Sequence, residues 1–141
     1  MADWDCFVHL LPHRPPFLLV DRIIELKPGK EIIALKRVSS ADQYAGQIRG
    51  LPGSFPCSLI AEAMAQAASM VATSASAGQG PRLGAYASIK EMEILREPEV
   101  GEELWLRMEL IHQFGHLFEF SGEAKVGGEL VGRGQLIFHL G

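Results

Sequence analysis

Residues 58–76 read SLIAEAMAQAASMVATSAS, from Ser58 to Ser76, and the fold turns on them. The stretch is dense in Ala, Met and Leu and carries β-branched residues mainly towards its end, which predicts an α-helix of about five turns. Its residues are apolar or small nearly all round, so the helix is expected to be buried on most faces. Two polar side chains interrupt it, Glu62 and Gln66. They also keep the run short of the ~18 apolar residues needed to span a bilayer, so no membrane is expected as a partner.

Immediately before this helix, residues 40–57 (SADQYAGQIRGLPGSFPC) carry no periodic apolar pattern. Gly46, Gly50, Pro52, Gly53 and Pro56 make the segment an irregular loop, of a length usually functional or disordered in a small domain. Further upstream, residues 17–27 (FLLVDRIIELK) and 31–39 (EIIALKRVS) are β-rich runs. Between them, Lys27-Pro28-Gly29-Lys30 has Pro and Gly at its centre, as a type II turn requires, so the two runs form a hairpin. Residues 4–11 (WDCFVHLL) suggest a short helix stopped by Pro12, and Pro15-Pro16 launches the first extended run.

Downstream of the helix the pattern returns to strands: 83–94 (LGAYASIKEMEI), 103–114 (ELWLRMELIHQF), 116–126 (HLFEFSGEAKV) and 129–140 (ELVGRGQLIFHL). The separators are Glu97-Pro98-Glu99-Val100-Gly101, Phe114-Gly115 and Val126-Gly127-Gly128. Short turns between consecutive strands predict an antiparallel meander. The expected class is α+β: about six strands in a curved antiparallel sheet around one long buried helix, the hotdog arrangement. The apolar face of the sheet needs the helix as its partner. Strand pairing with a second subunit closes the open edge of such a sheet, so a dimer or a multiple of dimers is expected.

The chain has 141 residues, which fits one domain spanning 1–141. It is 48% hydrophobic and 21% charged, a globular balance that argues against disorder. Thirteen Lys and Arg stand against 17 Asp and Glu, for a formal charge of −4, which gives no electrostatic attraction for nucleic acid. Cys6 and Cys57 lack a CxxC spacing and read as idle thiols in a reducing compartment. His9 and His13 flank Leu10-Leu11-Pro12 without further ligands to complete a zinc set, so no metal is expected. The N-terminal Met1-Ala2-Asp3-Trp4-Asp5 places acids where a secretory signal carries bases, and the cytoplasm is the expected compartment.

Two motifs carry a family resemblance. Leu11-Pro12-His13-Arg14-Pro15-Pro16-Phe17-Leu18-Leu19-Val20-Asp21-Arg22 resembles the LPHRxPFLLVDR segment of FabZ-type 3-hydroxyacyl-(acyl carrier protein) dehydratases. Glu62-Ala63-Met64-Ala65-Gln66 resembles the EAMAQ of their central helix, at the expected separation. The likeness extends over roughly residues 8–140. It implies a hotdog fold and removal of water from 3-hydroxyacyl thioesters, with no cofactor. In that chemistry a His takes the C2 proton and a helix carboxylic acid protonates the departing hydroxyl. A backbone N–H at the helix N-terminus polarises the thioester carbonyl. The resemblance further implies that the His and the acid come from different subunits, and that the acyl chain enters an apolar tunnel beside the helix.

Carried over by position, the family's acid falls on Glu62, and its backbone donor falls near Cys57 and Ser58, after Phe55-Pro56. Gln66 closes the helix motif and is assigned with Phe55 to substrate binding. His13 lies in the LPHR block, where a structural role is expected. The family's catalytic His has no counterpart: its position falls on Gln47 or Ile48, neither of which accepts a proton at neutral pH. Gly usually stands where this chain has Cys57. Lys90 and Arg96 match the basic residues that meet an acidic carrier protein, but Glu91, Glu93 and Glu97 lie among them and would repel it. A coenzyme A thioester is therefore a second expected substrate form. Three readings follow: a dehydratase subunit that pairs with a His-bearing relative, a thioesterase using Glu62 and Gln47, or a non-catalytic acyl-binding subunit.

Overall fold

The computed structural model of the chain describes residues 19–39, 53–75 and 86–139. The elements run β1 (Arg22–Lys27), β2 (Glu31–Arg37), α1 (Cys57–Ala75), β3 (Tyr86–Ile94), β4 (Glu103–Phe114), β5 (Leu117–Val126) and β6 (Glu129–His139). All six strands lie in one antiparallel sheet of order β1-β2-β4-β5-β6-β3. The expected helix, turns and six strands are present, each within a few residues of its predicted bounds. The short helix at 4–11 and the LPHR block up to residue 18 lie outside the described residues.

Local chemistry accounts for the hairpins. The Lys30 amide donates to the Lys27 carbonyl at 2.9 Å, and Gly29 takes a φ of 70°, the left-handed value that position three of a type II turn demands. Two-residue connections likewise join β4 to β5 and β5 to β6, where Phe114 opposes Leu117 and Val126 opposes Glu129.

The predicted meander holds for β4-β5-β6 but not for β3. Instead of pairing with β4, β3 lies at the sheet edge beside β6, and β4 pairs with β2. The connection 95–102 is long enough to cross the ends of β6 and β5, since adjacent strands are only about 4.8 Å apart. Its start stays bonded to β6, with Leu95 N–H donating to Val131 O at 2.7 Å, and its later bonds go elsewhere. Val100 N–H donates to Gly53 O at 2.8 Å and Gly101 N–H to Val38 O at 2.8 Å, so the connection is fastened to the segment before α1 and to the end of β2.

One face of the sheet holds α1. Along β4, Leu104, Leu106 and Met108 are buried while Trp105, Arg107 and Glu109 point to the other face. Phe118, Phe120 and Ala124 of β5 and Leu136 and Phe138 of β6 continue the inner layer, against Ile60, Met64, Ala67, Ala68 and Val71 of α1. Gly122 sits under the helix: a Cβ there would meet Met108 Sδ and Met64 Cε, so its bare backbone makes the room that the two methionines fill. Bulges at Ile23/Glu25, Ile89/Glu91, Leu110/His112 and Ala124/Lys125 bend the strands, which is how an antiparallel sheet curves around a helix. The outer face is charged, with Arg107–Glu31 at 2.9 Å and Arg133–Glu93 at 3.1 Å. Among the described residues no helix is long and apolar enough to cross a membrane.

Candidate functional site

The site grows from the first turns of α1. The Pro56 carbonyl accepts from the Leu59 and Ile60 amides at 2.9 and 3.2 Å, so Pro56 is the N-cap residue and Cys57 the first helical one. Along the helix Cys57, Ser58 and Glu62 are exposed, and Leu59 and Ala65 are half-buried. The remaining side chains from Ile60 to Ser74 are buried. Ser58 and Glu62 are four residues apart and share one face. Glu62 therefore stands on an exposed strip of α1.

The segment that feeds this strip is anchored by residues far away in sequence. Phe55 is fully buried, its amide donating to Pro98 O at 2.7 Å, and Ser54 forms a bridge with Glu99. Glu97 sends its carboxylate to the start of α1, where it accepts from the Cys57 amide at 2.7 Å and the Ser54 hydroxyl at 3.0 Å. Its neighbour Arg96 is fixed by two bonds to Glu102, at 2.9 and 3.1 Å, and one to Glu129 at 3.0 Å. The Arg96 guanidinium and then the Glu99 amide hold the Glu102 carboxyl below its ordinary range. On the other side, the Lys36 ammonium lies 5.8 Å from the centre of the Phe55 ring. Lys36 comes from the helix-facing side of β2 and is 4% exposed. Nothing in the sequence sets Lys36 apart, and Glu97 reads there as one of the acids that would repel an acidic carrier; it is exposed and also bonded to Ser54 and Cys57. Nothing local to either residue marks its role.

The expected site residues therefore meet unequal fates. Phe55, Cys57, Ser58 and Glu62 fall together on the lead-in and the open strip. The Cys57 amide is engaged by Glu97, whereas no described residue accepts from the Ser58 amide. Gln66 is 1% exposed, and its Oε1 accepts from the Leu19 amide at 2.8 Å. It joins the helix to the strand run that follows the LPHR block. Gln47, Ile48, His9 and His13 lie outside the described residues. His112 and His116 belong to the β4–β5 hairpin, and His139 ends β6. Nine residues of β4, roughly 30 Å of strand, separate His112 from Glu103, where the connection beside Cys57 ends.

The charges around the end of β3 are also engaged. Lys90 pairs with Glu119 at 2.8 Å and Glu93 with Arg133 at 3.1 Å, while Glu97 turns towards α1. The hydrogen bond from Lys90 holds the Glu119 carboxyl below its ordinary range.

A buried helix inside a curved sheet, with a carboxylate on its exposed strip, is the frame that the two motifs imply. A family model described as ApeP dehydratase, of the ApeP-like group, matches residues 6–139. The chain belongs to the ApeP-like dehydratase family. The chain is 37% identical to the 3-hydroxyacyl-(acyl-carrier-protein) dehydratase FabZ of Geobacillus thermodenitrificans, over 100% of this chain and 97% of that protein. It is 40% identical to the FabZ of Vibrio cholerae over 90% of this chain and 84% of that one. Among solved structures it is similar to the dehydratase heterocomplex ApeI:P from Xenorhabdus doucetiae. There the TM-score is 0.78 at 19% identity, covering 100% of this chain and 92% of that one. A hypothetical thioesterase with coenzyme A from Streptococcus pneumoniae matches at TM-score 0.67 and 11% identity, over 85% of this chain and 84% of that one. At these identities the two structures speak for the hotdog fold.

Proposed function

We propose that this ApeP-like dehydratase is one subunit of a composite enzyme that removes water from 3-hydroxyacyl thioesters, with Glu62 as the acid and a partner's His as the base. The observation that carries the proposal is the placement of Glu62 on an exposed strip of α1, one turn from the Ser58 amide. No histidine of the described residues lies on that strip. In the reaction the partner imidazole takes the C2 proton, and the C2–H electrons form the C2–C3 double bond. The C3–O bond breaks and the departing hydroxyl takes the proton of Glu62, leaving as water. The Ser58 amide faces the developing charge on the thioester oxygen. Every atom and electron is accounted for without a cofactor.

Partner pairing is supported by the sheet edge. Among the described residues β3 is hydrogen-bonded on one side only, to β6, and Ile89 on it is 57% exposed although it shares the helix-facing side with Leu136. An edge strand with an exposed apolar side chain offers its unpaired backbone groups to a second chain. The FabZ relatives support acyl carrier protein as the substrate's handle, and the ApeI:P complex supports a heteromeric assembly. Glu91 and Glu99 remain near the β3 end as exposed acids, which keeps the coenzyme A form in the assay.

The test is mass spectrometry of 3-hydroxyacyl-carrier-protein and 3-hydroxyacyl-CoA incubated with this chain alone and with this chain plus a His-bearing FabZ-type subunit. Loss of water that requires both chains supports the composite site. Equal loss of water by this chain alone overturns it, and release of free acid replaces it with thioester hydrolysis.

A further inference from the structure

We propose that Glu97 is a positioning residue of the acyl-thioester site, acting as a helix cap supplied from 40 residues away; the inference rests on the composite-dehydratase reading above. Helix starts commonly use Ser, Thr, Asp or Asn at the N-cap, whose side chain satisfies an orphan backbone N–H. Here the N-cap is Pro56, which has no polar side chain, and the first turn of α1 contains no acidic residue. The missing acceptor comes from the connection 95–102. Glu97 Oε2 takes the Cys57 amide at 2.7 Å while Oε1 takes the Ser54 hydroxyl at 3.0 Å.

One carboxylate thus bridges the lead-in and the helix on either side of Phe55-Pro56. The bridge is flanked by backbone bonds, Phe55 N–H to Pro98 O and Val100 N–H to Gly53 O. The Arg96 fork on Glu102 and Glu129 stiffens the connection that delivers it. Glu97 touches neither Glu62 nor a reacting atom. Its effect is to fix where the first turn of α1 points, and with it the Ser58 amide and Glu62. By engaging the Cys57 amide it also leaves the next amide as the donor.

Misplacement of a catalytic group by about 1 Å can cost roughly 10²-fold in rate. The acyl chain and its carrier bind through other contacts, so the loss belongs in kcat rather than KM. The experiment uses the complex of this chain with a His-bearing FabZ-type subunit, comparing wild type, Glu97→Ala, Glu97→Asp and Glu97→Gln. Glu97→Ala is expected to lower kcat by 10-fold or more (on the order of 10–100-fold) with KM nearly unchanged. Glu97→Gln, whose amide can accept from Cys57 and donate to Ser54, restores most of the activity. Glu97→Asp keeps the charge but is too short to bridge both groups. It must fall with the alanine variant, and it carries the test if that variant does not fold. Unchanged kcat in a folded Glu97→Ala or Glu97→Asp complex overturns the proposal. A wild-type complex that removes no water overturns instead the reading on which the proposal rests, so the two failures are distinct.

Discussion

The two halves of α1 are made of the same residues, Ala, Met and Ser, and meet opposite ends. From Gln66 to Ser74 every side chain is buried. Polar groups there are satisfied inside the fold: the Ser69 hydroxyl donates to Gln66 O at 2.6 Å and the Ser74 hydroxyl to Val71 O at 2.8 Å. From Cys57 to Ala65 the helix keeps an open strip with Ser58 and Glu62 on it, and its first amide is satisfied by a carboxylate from another part of the chain. Burial consumes the second half as core. The first half keeps an exposed strip, and its start is held by the connection 95–102 rather than by being covered.

Four measurements break or sharpen this contrast, ordered by expected effect on stability. Met70→Ala empties a fully buried position in the second half and is expected to cost about 2–5 kcal/mol in urea unfolding. Gln66→Met keeps the volume but leaves the buried Leu19 amide without its acceptor. A loss of about 1–3 kcal/mol is expected, and no loss would show that the joint is dispensable.

Acid is expected to loosen the first half before the second. The Glu102 carboxyl is held below its ordinary value of 4.5 by Arg96. A carboxylate depressed in the folded state contributes stability that is complete above the unfolded value and is lost as pH falls through the lower folded value. Below pH 4.5, amide-exchange protection of Cys57, Leu59 and Ile60 should drop while that of residues 70–74 holds. A parallel loss in both halves would refute the independence of the two.

The smallest effect on stability belongs to Glu62→Ala. An exposed helix carboxylate contributes less than about 1 kcal/mol to folding, yet removal of a catalytic acid typically costs 10²–10⁴-fold in rate, so dehydration by the paired complex should fall by about that factor. A stable, active Glu62→Ala complex would mean that the open strip is not the reaction site.

The sequence by itself determined the elements and the family. β-rich runs marked the strands, Pro28-Gly29 and Gly127-Gly128 marked turns, and the EAMAQ block put a carboxylate on a helix that is otherwise apolar or small. These are local signals, set by periods of two and 3.6 residues and by backbone sterics. Tertiary structure alone decided that β3 leaves β4 for the edge beside β6, since a connection's length does not say which neighbour a strand will find. It also made Gln66 Oε1 the acceptor for the Leu19 amide, placed Lys36 on the inner side of β2 against Phe55, and brought Glu97 to the start of α1. Each depends on hydrogen bonds or contacts between segments 19 to 47 residues apart, and such pairings leave no periodicity in the sequence because the geometry that makes them exists only after the sheet has closed around the helix.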